Sequence, residues 1–127
     1  DAKINFEIFN FSNNLLEYFS KVDLAITRSG SSILAELTNT NVPFISVPLP
    51  SSADNHQFIN ANFYKKKNFS FIIEEKDLNN KLFYLIEEIY NRKSILSKIS
   101  QNQNQYSDKN VYKNIDRVLE EFTYEKN

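Results

Sequence analysis

The stretch Thr27–Arg28–Ser29–Gly30–Ser31–Ser32 is the part of this chain best equipped for chemistry. It holds the single Gly of 127 residues, with a cation before it and hydroxyls on both sides. A helix start presents free N–H groups and partial positive charge, which suits phosphate. A Gly there lets a ligand come close to the backbone. The same pattern also serves a capped strand-to-helix turn that holds no ligand. Glu36 lies four residues after Ser32 and three after Ile33, on the helix face next to the loop. A capping box built from Ser32 would place its carboxylate at Ala35, so Glu36 is not taken up by capping. A carboxylate accepts two hydrogen bonds at once, which matches the vicinal hydroxyls of a ribose. Standing alone, it would be an ordinary solvated Glu.

A second group follows in Pro48–Leu49–Pro50–Ser51–Ser52–Ala53–Asp54–Asn55–His56–Gln57, a long polar loop, with Asn60 one helical turn after Gln57. Gln57 and Asn60 at i, i+3 offer amide donors and acceptors of the kind that hold a sugar. His56 is the only imidazole, and no neighbour in sequence orients it as half of a catalytic pair. At a helix start it reads better as a ligand-facing or capping group than as a base. Lys65–Lys66–Lys67 closes a helix, where cations meet the negative end of the dipole; this reads as a solvated face.

These residues need elements to position them. Ile4, Phe6 and Ile8 alternate with polar residues, predicting a strand over Lys3–Phe9. Ser12 or Asn13 then caps a short helix carrying Leu15, Leu16 and Phe19. Leu24–Thr27 predicts a fully buried strand, Ile33–Leu37 a helix ending near Asn39–Asn41, and Pro43–Val47 the next buried strand. A helix from Asp54–Asn55 carries Phe58, Ile59 and Phe63 on its apolar side, and Phe69–Ile73 predicts a fourth strand. Asp77 caps a helix with Leu78, Leu82, Leu85, Ile86 and Ile89 at helical spacing. Terminal helices fill 92–127, one around Ile95 and Ile99 and one through Val111, Ile115, Val118, Leu119 and Phe122. The Asn/Gln string Gln101–Gln105 reads as the hinge between them. Alternation of strand and helix predicts an α/β fold, a Rossmann-like parallel sheet with flanking helices. In such sheets ligands bind beyond the carboxyl ends of the strands, where the loops at 28–32 and 48–56 fall.

Composition narrows the classes. A chain of this length makes one core. With 41% hydrophobic and 24% charged residues it is an ordinary globular mixture. No apolar run reaches the ~18–20 residues of a membrane span. Zero Cys and one His exclude thiolate metal sites and disulfides. A net charge of −1 gives no electrostatic footprint for nucleic acid. Asn occurs 18 times and Arg three times, a bias toward A/T-rich codons that strips Asn- and Lys-rich stretches of functional weight. The chain opens without Met, directly into a strand-like segment, and reads as the C-terminal part of something longer.

Taken together, Asp23–Leu37, then Val42–Pro43, Val47–Pro48–Leu49–Pro50, Asp54–Asn55–His56–Gln57, Asn60–Ala61 and Glu75–Lys76–Asp77–Leu78 resemble the C-terminal domain of the MurG family. The resemblance runs from about Phe11 to the C-terminus. It implies the C-terminal, donor-binding half of a GT-B glycosyltransferase: residues 1–127 would be a partial UDP-sugar-binding domain, without the N-terminal acceptor domain. The activity implied is inverting transfer of N-acetylglucosamine from UDP-N-acetylglucosamine to undecaprenyl-diphosphate-linked N-acetylmuramyl-pentapeptide, without metal or cofactor. The backbone at Phe11 and Ser12 would meet the uracil and the Ser31–Ile33 helix start the diphosphate, within a nucleotide-binding run of Arg28, Ser29, Gly30, Ser31, Ser32, Ile33, Leu34 and Ala35. Glu36 would take the ribose, and His56, Gln57 and Asn60 would face the sugar. The family usually carries Thr where this chain has Ile33, so one hydroxyl toward phosphate is lost. The catalytic base and the membrane-facing patch would belong to the N-terminal half, with the enzyme cytoplasmic and peripheral on the inner membrane face. Two alternatives are a subunit of a dolichyl-diphosphate-type N-acetylglucosaminyltransferase and a non-catalytic nucleotide-sugar-binding module.

Overall fold

The computed structural model describes residues 15–106. The expected first strand, Phe11, Ser12 and the helix through Val111 and Phe122 lie outside them. Helix α1 (Leu15–Phe19) precedes strand β1 (Ala25–Thr27), helix α2 (Ser31–Asn39), strand β2 (Phe44–Ser46) and helix α3 (His56–Lys66). Strand β3 (Ser70–Ile72), helix α4 (Leu78–Asn91) and helix α5 (Ser94–Gln105) follow. The three strands form one parallel sheet in the order β1-β2-β3, with Ile26, Ile45 and Phe71 in one row across it. Two successive crossovers in one direction put α2 and α3 on the same face, and the two helices are in contact.

The core forms on that face. Leu34 and Leu37 of α2 meet Phe44 of β2, with Phe19 and Val42 closing the sides and Ala25, Ile33 and Tyr64 packed against the cluster. The rings of Phe44 and Tyr64 meet edge to face, with centroids 5.8 Å apart. Burial pushes the pKa of the Tyr64 phenol up, and neighbouring Tyr106 adds to the effect.

Among the described residues the α/β expectation and the order of elements hold. Four local expectations need correction. β1 is not fully buried: it is the outer strand of the described sheet, and Ile26, on the face away from α2 and α3, is 49% exposed. On α3, Ile59 and Phe63 are 58% and 46% exposed; Ala61 is the buried residue, flanked by half-buried Gln57, Phe58, Asn60 and Tyr64. An Ala at the contact brings this helix close to the sheet, and its inward face is polar where it reaches the loops. Asp77 precedes α4 without a side-chain capping bond, and its carboxylate pairs instead with Lys81 at 3.5 Å.

The Asn/Gln string is not a hinge. Residues 101–105 continue α5, and Gln103 is fully buried. Its Nε2 donates to Val42 O and to Phe69 O, both at 2.9 Å. Ser100 Oγ donates to Asn41 O and Asn102 Nδ2 to Asn68 O, each at 3.1 Å. Asn41 and Asn68 are turn residues with φ of 61° and 60°, just ahead of β2 and β3. Asn tolerates this left-handed conformation better than most side chains. Helix α5 thus laces the amino ends of two strands through their free carbonyls.

Candidate functional site

At the carboxyl end of the sheet the three post-strand loops converge. Val47 N–H donates to Thr27 O at 2.8 Å and Ile73 N–H to Ser46 O at 3.0 Å, so the ladder runs one residue past each strand before the loops diverge. The loop after β1 is only 28–30, because α2 starts at Ser31, earlier than the sequence suggests. Its first intrahelical bond, Leu34 N–H to Gly30 O at 3.2 Å, leaves the N–H groups of Ser31, Ser32 and Ile33 ahead of it. No side chain caps this end. Ser31 and Ser32 are exposed, Ile33 leans on the core, and Leu34 belongs to the core outright. What Leu34 and Ala35 could give a ligand is limited accordingly. Glu36 is exposed one turn further on, and its carboxylate has no partner among the described residues.

Gly30 is not held in a left-handed conformation: its φ is −64° and its ψ 142°. A Cβ there would meet Ile33 Cγ2 at 3.7 Å, an ordinary contact. The fold therefore does not demand glycine at this position.

Ser29 is the hub of this end. Its N–H donates to Gln57 Oε1 at 3.2 Å, and its carbonyl accepts from Asn60 Nδ2 at 3.3 Å. Gln57 Oε1 also accepts from Leu49 N–H at 2.9 Å, in the loop after β2. Gln57 N–H in turn donates to Ser52 Oγ at 3.3 Å. The Ser29 side chain is fully buried, with its hydroxyl unpartnered among the described residues. Gln57 and Asn60, expected beside a sugar, thus grip the backbone of the loop expected beside a diphosphate. The positioning work of these amides was not foreseen. The signal for it is two amides sharing the inward face of a helix with Ala61.

Arg28 crosses to the third loop. Its Nη2 meets Glu75 Oε1 at 2.5 Å, and its Nη1 donates to Val47 O at 3.4 Å. Both side chains are nearly half exposed, so the pair is worth about 0–1 kcal/mol and serves mainly to orient the guanidinium. His56 heads α3 in the open, with Nε2 3.9 Å from Asp54 Oδ2. Asp54 and Asn55 make the turn into α3 with φ of 51° and 58°. The structure brings Arg28, Ser29, Gly30, Gln57 and Asn60 into one linked cluster; Phe11 and Ser12 lie outside the described residues. No group of three or more His, Cys, Asp and Glu able to hold a metal occurs among the described residues.

A family model described as the glycosyltransferase family 28 C-terminal domain matches residues 1–117. The chain belongs to this family. Among curated relatives of this family 28 domain, it is 40% identical over 117 residues to the UDP-N-acetylglucosamine–N-acetylmuramyl-(pentapeptide) pyrophosphoryl-undecaprenol N-acetylglucosamine transferase of Pelagibacter ubique, covering 91% of this chain and 33% of that protein. To the protein of the same name from Rickettsia bellii it is 35% identical over 103 residues, 80% of this chain and 29% of that one. The chain thus spans about a third of the length of the curated relatives it matches. In structure it is similar to Acinetobacter baumannii MurG, with a TM-score of 0.69 and 22% identity over 80% of this chain and 29% of that one. That likeness supports the fold, the parallel sheet with flanking helices of a family 28 C-terminal domain.

Proposed function

We propose that this chain supplies the donor-nucleotide site of an N-acetylglucosaminyltransferase acting on the undecaprenyl-diphosphate-linked muramyl-pentapeptide of peptidoglycan synthesis. The observation that carries the reading is the uncapped start of α2 at the carboxyl end of the sheet, with the unpartnered Glu36 carboxylate one turn along. The relatives' names supply the substrates: UDP-N-acetylglucosamine as donor and the lipid-linked muramyl-pentapeptide as acceptor. The N–H groups of Ser31, Ser32 and Ile33 receive the diphosphate, Glu36 takes the ribose hydroxyls, and Phe11 and Ser12 meet the uracil. His56 stands on the sugar side, with the amide atoms of Gln57 and Asn60 that the loop bonds leave over.

In the reaction the acceptor's 4-hydroxyl attacks the sugar C1 with inversion, and the C1–oxygen bond to UDP breaks. Negative charge grows on the leaving diphosphate as this happens. The fixed N–H groups and dipole of α2 face that charge without reorganising, which is where electrostatic assistance is strongest. Residues 1–127 act as part of a UDP-sugar-binding domain, and the base and the membrane contact come from an N-terminal domain. The enzyme works in the cytoplasm, on the inner face of the membrane; among the described residues no helix is long and apolar enough to cross it.

Two measurements test this. The chain is expected to bind UDP-N-acetylglucosamine at high-micromolar to millimolar affinity, roughly −4 to −6 kcal/mol. Mixed alone with labelled donor and lipid acceptor it yields no labelled lipid, because transfer needs a base within about 3 Å of the acceptor hydroxyl. Labelled product that disappears in a His56→Ala variant would make His56 the base and overturn the two-domain assignment.

A further inference from the structure

Beyond any contact with the sugar, we infer that Gln57 and Asn60 are positioning residues that set the diphosphate loop for its ligand. The inference rests on the nucleotide-site reading above. A residue's backbone is held from both sides when its N–H and its C=O, which belong to successive peptide units, are each bonded. At Ser29 both backbone groups bond to side chains of one helix, three residues apart: N–H to Gln57 Oε1 at 3.2 Å, C=O to Asn60 Nδ2 at 3.3 Å. The same Gln57 oxygen takes Leu49 N–H at 2.9 Å, so one amide ties the loop after β1 to the loop after β2. Ser29 is fully buried and immediately precedes Gly30, the cap of α2. Arg28, one residue earlier, is tied to Val47 O and Glu75, but α2 has no side-chain cap and Gly30 has neither a side chain nor a constraining φ, so among the described residues the two amides are the side chains that hold Ser29 itself.

The two amides work in opposite senses, which gives the inference its test. Gln57 acts through its acceptor oxygen, and a carboxylate can replace that; a leucine cannot. With Gln57→Leu, Ser29 and Leu49 lose their common acceptor and the start of α2 is free to shift. A group that only touches the sugar has no effect on a ligand without one. A group that positions the loop affects UDP as much as UDP-N-acetylglucosamine.

The experiment titrates UDP and UDP-N-acetylglucosamine into this chain and its Gln57→Leu variant, and follows amide hydrogen exchange at Ser29 and Leu49 in these two and in Gln57→Glu. Gln57→Leu is expected to weaken UDP about tenfold, with at least an equal loss for the sugar nucleotide. Exchange at both amides should rise in Gln57→Leu and stay protected in Gln57→Glu. If UDP affinity is unchanged while only the sugar nucleotide suffers, Gln57 is a sugar contact and the positioning role falls. If the leucine variant does not fold, loss of protection in Gln57→Glu would overturn the inference and retained protection would support it. A wild-type chain that binds no UDP would remove the nucleotide reading itself, while the exchange comparison would still judge whether the amide holds the two loops.

Discussion

At the amino end of the sheet, Ser100, Asn102 and Gln103 of α5 donate to the carbonyls of Asn41, Asn68, Val42 and Phe69. At the carboxyl end, Gln57 and Asn60 of α3 hold both sides of Ser29 and the N–H of Leu49. The side-chain chemistry is the same and the outcome differs. At the amino end the amide is fully buried and satisfies carbonyls that water cannot reach, so it contributes to stability. At the carboxyl end the amides are half-buried and fix a backbone whose next N–H groups remain open. What the amino end leaves over is a buried acceptor, Gln103 Oε1, without a partner among the described residues; what the carboxyl end leaves over is a row of backbone donors at an exposed helix start.

Substitutions at the two ends should separate these roles. The largest effect is expected for Gln103→Leu, which strands two buried carbonyls and should cost about 2–3 kcal/mol of stability. Urea unfolding measures the loss, and UDP affinity of the folded variant should stay at the wild-type value. A marked loss of affinity would erase the distinction between the ends.

Next comes Glu36→Ala. Removing a carboxylate that holds two hydroxyls should cost on the order of 1.5–3 kcal/mol of binding, about tenfold or more for UDP. The exposed Glu36 carboxylate has no partner among the described residues, so unfolding should hardly change. The ligand 2′,3′-dideoxy-UDP should bind wild type and variant alike; equal losses for both ligands would assign Glu36 a structural role.

Gly30 comes last. A Cβ meets only Ile33 Cγ2 at 3.7 Å, so Gly30→Ala should cost no more than the N-cap difference between the two residues, about 0.5–1 kcal/mol. Gly30→Val should reduce UDP affinity while remaining folded. A folded Gly30→Val chain with unchanged affinity would remove the diphosphate from this loop.

The order β1, α2, β2, α3, β3, α4 was legible because short apolar runs and a helical period alternate, and the α4 set Leu78, Leu82, Leu85, Ile86 and Ile89 faces inward to varying depth as spaced. The place of the loop Thr27–Ser32 between a strand and a helix was legible because a lone Gly among hydroxyls stands out locally. Gln103 was not. Its carbonyl partners lie 61 and 34 positions away, and the Asn-rich composition made its neighbourhood look like filler. Gln57 and Asn60 were noticed for their type, but their partner Ser29 comes from about 30 positions earlier and only the packed helix shows it. Ile59 and Phe63 misled for the converse reason: their apolar character suggested the inward face of a helix whose inward face is Ala61, half-buried Phe58 and Tyr64, and two amides.

The most direct test of the difference between the two ends is to map backbone amide shifts while UDP is added to the chain. The expected result is saturable movement of Ser29, Gly30, Ser31, Ser32, Ile33 and Glu36, with Asn102 and Gln103 still. Movement centred on α5 and the amino end, or none at millimolar UDP, would contradict a donor site at the carboxyl end of this sheet.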